Sequence, residues 1–156
     1  MEATIASVIA VCGTLLGSTV TYLFQHRGAE RAERFARSER LRQERMAAYG
    51  AFAGAMTELR RSVITLWFRR QRDPGGSDTV AAALLDADRF GAAADHARFR
   101  VQLIAGEPAL VALADAAFEP VDAIRQAADR NELLAHEHRA NETIAAFIAA
   151  GGAQVR

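Results

Sequence analysis

The first twenty-five residues carry no charged side chain after Glu2, and this uncharged run constrains the chain more than any other feature of the sequence. A helix needs about 20 predominantly apolar residues to cross the hydrocarbon core of a bilayer. The run from Ala3 to Phe24 has that length, although serine and threonine residues dilute it. We therefore predict an uncleaved transmembrane anchor at residues 1–25. A cleaved signal peptide and a buried helix of a soluble domain are the alternatives.

Basic residues follow the run directly and predict its orientation. Arg27, Arg31 and Arg34 lie on the C-terminal flank, whereas the N-terminal flank carries only Glu2. Cytoplasmic flanks carry the excess of lysine and arginine, so we predict a single-pass protein of the inner (plasma) membrane with its N-terminus outside and the remainder in the cytoplasm. The single cysteine, Cys12, lies inside the run, so no disulfide framework argues for an extracytoplasmic domain.

Small residues form one face of the predicted span. They are Ala6, Ala10, Gly13 and Gly17. Small-residue faces of this kind let membrane helices approach closely and associate without a hydrophobic driving force. We expect helix association here and a homo-oligomer.

A second small-residue face lies further along the chain, opposite the apolar side of the following helix. Its members are Ala47, Gly50, Ala51 and Gly54. A glycine inside a helix costs about 1 kcal/mol relative to alanine. A closely packed neighbour would compensate, and it could be another helix of this chain or a second protomer. We assign these residues to a second helix-packing face.

The rest of the chain reads as helix, because apolar residues recur at intervals of three and four and no alternating run occurs. Residues 73–77 and 106–108 break the pattern with proline and glycine, which places one helix at about 79–105. Pro120 predicts a kink, residues 129–131 a further break with Asn131 as a candidate cap, and the last helix is expected to run to Gly151-Gly152. We predict an all-α protein in which the N-terminal transmembrane helix continues into an antiparallel cytoplasmic bundle of four, alternatively three, helices at residues 46–156.

The first bundle helix has an apolar stripe with heptad spacing. It consists of Tyr49, Phe52, Met56, Leu59, Val63 and Leu66. The same spacing serves a coiled-coil seam between chains or the core of a bundle within one chain. We favour packing in the chain's own core.

Residues 26–45 form an arginine-rich segment, predicted to be a helical stalk. Residues 26–72 hold twelve arginines against five acids, and residues 73–156 hold seven against thirteen, which gives net charges of +7 and −6. Intramolecular docking is the simplest explanation.

Arg27, Arg31 and Arg34 are candidates for contact with anionic lipid, while the later arginines are expected to meet neighbouring glutamates or acids of the last helix. Nucleic acid is a less favoured partner, because only Phe35 could stack on a base.

Recognisable catalytic motifs are missing from the sequence. His136 and His138 lie two residues apart, so on a helix they point away from each other, and His96 has no cysteine or serine nucleophile in a recognisable setting. Gly75-Gly76 lacks the lysine that a phosphate-binding loop requires. We expect no catalytic, cofactor or metal site, although an enzyme whose site a partner completes stays open.

A resemblance rests on GTLLGS in the span, His26-Arg27, the arginine-rich helix and the segment RMAAYGAFAGAMTELRR. Together they resemble small single-span helical membrane proteins of actinobacteria with no assigned function, mainly over residues 1–72. The layout is also similar to the b subunit of ATP synthase and to phage inner-membrane spanins. The helix breaks at Pro74 and Pro108 argue against the first, and the arginine flank argues against the second.

These observations favour a membrane-tethered helical adaptor or scaffold that self-associates and recruits an unidentified cytoplasmic protein. The alternatives are a module that binds anionic lipid or nucleic acid through the arginine stalk, and a lysis or pore-type membrane protein.

Overall fold

The computed structural model describes the backbone of residues 2–155 and the surroundings of the side chains of residues 33–155. The described chain is helical, with α1 at Glu2–Arg72, α2 at Asp78–Ile104, α3 at Pro108–Ala116, α4 at Phe118–Ile124 and α5 at Arg130–Gln154. It divides into two compact units, Met1–Leu41 and Arg42–Arg156. The all-α prediction is confirmed, and the second unit holds the bundle.

The bundle has four arms that alternate in direction. Within the second unit, α1 forms the first arm and α2 the second, α3 and α4 together form the third, and α5 forms the fourth. Gly91 of α2 lies beside Leu59, whereas Arg45 reaches Ile104 at the other end of α2, so these two arms are antiparallel. The Tyr49 ring meets the Phe147 ring of α5 in the same antiparallel sense.

The heptad stripe of α1 lies in the chain's own core, as predicted. Its six side chains are at most 6% exposed, and the Phe52 ring contacts the rings of Phe118 and Phe147. The facing side of α2 is built mainly from alanines, including Ala87 and Ala94, which are fully buried. Small side chains on one helix let the large side chains of its neighbour fill the space between them at the density of a protein interior.

Proline interrupts the third arm, where the sequence predicted a kink within one helix and the structure has two separate helices. Pro120 has no N–H to donate to the carbonyl of Ala116, and its ring would clash with that carbonyl in a continuous helix. In the structure α3 ends at Ala116 and α4 begins at Phe118. Pro120, Val121 and Ile124 are buried, so the kinked arm still presents its apolar side to the core.

Two predicted features of α5 need correction. Asp129, rather than Asn131, caps α5, since its side chain accepts a hydrogen bond from the Glu132 N–H at 2.9 Å. Glu132 in turn accepts one from the Ala128 N–H at 2.7 Å, a reciprocal arrangement like a capping box. The helix also continues through the two glycines at 151 and 152 to Gln154. At the start of α2, Ser77 occupies the cap position but its hydroxyl pairs with Thr79 instead of a backbone N–H.

A buried hydrogen bond fixes the turn between the third and fourth arms. The indole N–H of Trp67 donates to the carbonyl of Ala127 at 2.8 Å. A buried carbonyl without a partner costs about 1–3 kcal/mol, so this bond ties the loop after α4 to the end of α1.

The predicted membrane span, residues 3–24, lies outside the residues whose side chains are described. Among the described residues, no helix has the length and apolar character needed to cross a membrane.

Candidate interaction surfaces

The second small-residue face of α1 lies uncovered on the bundle. Ala47, Gly50, Ala51 and Gly54 are all exposed. A Cβ built on Gly50 or Gly54 would have no atom within 4 Å beyond its own helix backbone and chain neighbours. No other helix in the described part of the chain contacts these glycines, so none of its residues there compensates them. A second protomer or another protein could pack against them.

An apolar groove between α1 and α5 adjoins this face and shares Gly50 with it. The groove has a volume of about 360 Å³ and is lined by Met46, Tyr49, Gly50, Ala53, Phe147, Ile148, Gly151, Gly152 and Val155. Met46 is 43% exposed and Ile148 53% exposed at its rim. Exposed apolar side chains around a concave apolar surface are typical of a site that receives another chain. The sequence did not point to this groove, because its two walls come from opposite ends of the chain.

Tyr49 forms the floor of the groove. Its ring packs edge-on against Phe147, with centroids 5.9 Å apart, and its hydroxyl donates to the Gln154 amide oxygen at 3.0 Å. Burial raises the pKa of the Tyr49 phenol above its ordinary value of 10.0, while the nearby Arg45 lowers it and Glu107 raises it. The phenol is thus held neutral as a hydrogen-bond donor.

Two arginines that the sequence assigned to the stalk or its edge belong to the bundle instead. The Arg45 Nε–H donates to the carbonyl of Ile104 at 3.1 Å, and the Arg42 Nε–H donates to the carbonyl of Val155 at 2.5 Å. Both carbonyls lie at the C-terminal ends of helices, where unsatisfied acceptors and the helix dipole favour a cation. These two hydrogen bonds go to helix-end carbonyls, whereas the expected partners were glutamates or acids of the last helix.

The remaining arginine segment is solvent-facing where it is described. Arg34 is exposed, and Arg37 pairs with Glu33 at 2.6 Å within its own helix. Arg27 and Arg31 lie outside the described side chains, as do Ala6, Ala10, Gly13 and Gly17. The predictions for these six residues stay predictions.

The arginine–carboxylate pairs described in the bundle each join two residues of the same half of the chain. Arg98 lies 3.0 Å from Asp95 and 3.3 Å from Asp115, and Arg125 lies 3.7 Å from Asp88. The pairs Arg98–Asp115 and Arg125–Asp88 link α2 to the third arm. They do not join the basic half to the acidic half, so they do not explain the charge asymmetry.

A second concave surface lies between α1 and α2 and carries more polar groups than the first. It measures about 450 Å³, and Glu58, Arg61, Ser62, Arg69 and Asp86 contribute to its lining. The Ser62 hydroxyl is turned back onto the Leu59 carbonyl at 2.7 Å, and Arg61 pairs with Glu58 at 3.1 Å. The polar groups in this groove partly satisfy one another.

The histidines near the start of α5 diverge, as expected from their spacing. His136 lies 4.0 Å from Glu132 and His138 lies 3.4 Å from Glu142. Within residues whose side chains are described, no three metal-binding side chains converge.

The fold and these surfaces define a class of protein: an all-α four-arm bundle with an uncovered small-residue helix face beside an apolar groove. The chain belongs to the KilB plasmid transfer protein family, whose model matches residues 46–155. The match covers the bundle and leaves out the predicted anchor and the whole arginine-rich segment. No curated protein and no solved structure matches the chain.

Proposed function

We propose that this chain is a membrane-tethered helical adaptor in plasmid transfer, which self-associates and recruits a cytoplasmic protein. The family name supplies the process, and the uncovered small-residue face of α1 is the observation that carries the adaptor role. Gly50 and Gly54 lower the intrinsic stability of α1 by about 1 kcal/mol each relative to alanine, yet no described residue of this chain occupies the space they leave. A helix from another molecule would use it.

The groove beside this face supports the recruiting role. One surface is built from small residues, and the adjacent one is concave and apolar. Together they suit a partner helix that lies along α1 and places a large side chain between α1 and α5. Peptide helices bind apolar grooves in this manner, with anchors spaced at three and four residues. An apolar side chain of the partner would then occupy the groove.

The tether comes from residues 1–25, an uncharged run of spanning length followed by arginines. With the N-terminus outside, the bundle lies in the cytoplasm, where the partner and a plasmid being transferred are accessible. Arg27, Arg31 and Arg34 would then lie near anionic headgroups, which attract each basic residue by about 1 kcal/mol.

Bulky substitutions on α1 test the adaptor role directly. A Cβ at position 54 would have no atom of a neighbouring helix within 4 Å, so the bundle with Gly54→Leu should fold as before. Ala135→Leu is the matched control, because it adds bulk at an exposed position of α5 away from the face. Gly54→Leu should abolish crosslinking of the full-length chain to its partners in native membranes and lower the frequency of plasmid transfer. Unchanged crosslinking and transfer in this variant would refute the role of the face.

The tether is tested separately by exchange of the anchor. Deletion of residues 2–25 should release the chain from the membrane fraction and reduce transfer, and an unrelated single span of the same orientation should restore both. A deletion variant that still sediments with membranes would contradict the anchor. Failure of the unrelated span to restore transfer would instead indicate that Ala6, Ala10, Gly13 and Gly17 make specific contacts.

A further inference from the structure

The outward side of α2 carries apolar side chains that the described chain leaves uncovered. Leu85 is 70% exposed, Phe99 51% and Leu103 87%, while Ala87 and Val101 on the opposite side of the helix are fully buried. The uncovered residues extend over about 27 Å of helix. Large apolar side chains in a row on one helix face are typical of an interaction site.

The row has the spacing of a coiled-coil seam. Exposed residues recur at alternating steps of four and three along α2, and we name them the α2 stripe: Leu85, Arg89, Ala92, His96, Phe99 and Leu103. Alternating steps of this kind keep one seam facing a partner helix over several turns. On α1 the same spacing is satisfied by the chain's own core, whereas on α2 it points away from the core.

Charges along one flank of the α2 stripe are unpaired. Asp86 near its start and Arg100 near its end have no hydrogen bond or ion pair in the described part of the chain. On the other flank, Asp88 pairs with Arg125 and Asp95 with Arg98. The free flank therefore presents one acid and one base at opposite ends of the seam.

We propose that the α2 stripe pairs with the α2 stripe of a second copy of this chain in antiparallel orientation. In the register that places Leu85 opposite the second copy's Leu103, Asp86 lies beside the second copy's Arg100. Two-fold symmetry repeats every contact, so both unpaired charges of both copies find partners. Arg89 then lies beside the second copy's Phe99 ring, whose centroid is 5.3 Å from the guanidinium of Arg98 in its own chain.

A parallel pairing does not offer these contacts. It would place Arg89 against Arg89, and Asp86 and Arg100 would lie about 21 Å apart along the seam. Like charges in one layer repel, so the antiparallel register is favoured by the charge pattern as well as by the apolar ends. The proposal uses residues separate from the small-residue face of α1, and it stands if that face binds a different protein.

Charge reversal in the full-length, detergent-solubilised chain tests the pairing. Asp86→Arg alone and Arg100→Asp alone should each weaken self-association about tenfold, because each turns two attractions into two repulsions. An equimolar mixture of the two variants should form a heterodimer, and the double variant should recover wild-type association. Asp122→Arg, an exposed reversal on α4, is the control and should leave association unchanged. The proposal is overturned if the mixture of the two single variants associates no better than either variant alone. It is also overturned if the wild-type chain is monomeric.

Cysteine crosslinking fixes the orientation in a chain carrying Cys12→Ser. Leu85→Cys mixed with Leu103→Cys should crosslink through a short bis-maleimide, and Leu85→Cys alone should not, since its two copies would stand about 27 Å apart. Self-crosslinking of Leu85→Cys would show parallel pairing and refute the proposal. Adding Gly54→Leu should leave the Leu85–Leu103 crosslink intact. Loss of the contact at the small-residue face of α1 can therefore be distinguished from loss of the α2 pairing.

Discussion

Gly151 packs directly against the ring of Tyr49, and a Cβ at position 151 would stand 3.1 Å from Tyr49 Cδ2. The contact joins α5 to α1 at the floor of the apolar groove. Its neighbour Gly152 faces open space, with nothing within 4 Å of a Cβ beyond its own helix. Two adjacent glycines of one helix thus have opposite structural roles.

We predict that Gly151→Ala destabilises the bundle and that Gly152→Ala does not. Alanine gains about 1 kcal/mol over glycine in a helix, but forcing a methyl into a packed contact costs about 1–3 kcal/mol. Gly151→Ala should therefore lower the free energy of unfolding by up to about 2 kcal/mol, and Gly152→Ala should raise it by up to about 1 kcal/mol. Chemical denaturation followed by circular dichroism measures both. Equal effects of the two substitutions would contradict the close contact.

Arg45 should stabilise the bundle, whereas Arg40 should not. Arg45→Met removes the hydrogen bond to the Ile104 carbonyl and the cation at the end of α2, so we expect a loss of about 1–2 kcal/mol. Arg40 is exposed on the first unit, and Arg40→Met is the matched control. The two variants are compared by thermal unfolding. An Arg45→Met variant as stable as the control would show that the arginine does not support the helix end.

Asp129→Ala should cost about 1 kcal/mol of stability, because it removes the side-chain acceptor at the start of α5. Asn131→Ala should have little effect, since Asn131 is exposed and forms no cap. Amide hydrogen exchange of residues 130–134 resolves the difference locally. Faster exchange after Asn131→Ala than after Asp129→Ala would reverse our assignment of the cap.

Tyr49 should make stability depend on pH in the alkaline range. Burial raises the pKa of the phenol in the folded bundle above 10.0, so the folded chain keeps this proton to a higher pH than the unfolded chain does. The contribution is fully present below pH about 10 and is lost as the pH rises through the folded-state value. Tyr49→Phe should flatten this decline. Denaturation at a series of alkaline pH values measures it, and identical slopes in both proteins would argue against a raised pKa.

Periodicity and proline were enough to predict much of this bundle. The buried stripe of α1, the break at residues 73–77 and the kink at Pro120 each follow from a local rule that tertiary packing did not override. The paired glycines predicted that the last helix ends at Gly151-Gly152, but α5 continues to Gln154. Gly151 packs there against Tyr49, a contact between residues distant in sequence. Arg42 and Arg45 looked like part of a basic stalk because the helix ends they contact are known only once the arms are packed.

The candidate surfaces were predicted less completely. The spacing of Gly50 and Gly54 indicated a packing face, but only the structure shows that no helix among residues 33–155 covers it. The heptad spacing of the α2 stripe is present in the sequence, but it did not lead to a prediction. Its residues Arg89 and His96 interrupt the apolar pattern, and core alanines on the other side of α2 obscure which face is buried.

The Arg42–Val155 hydrogen bond has a practical consequence for labelling. Four alternating arms return the chain to the end of the bundle where α1 enters it, so a fluorophore attached near Val155 reports on that end. The loop at Gly75-Gly76, where Gly76 has a φ of 77°, lies at the other end, about 40 Å away along α1. A pair of labels at these two places would measure which end of the bundle a captured partner occupies.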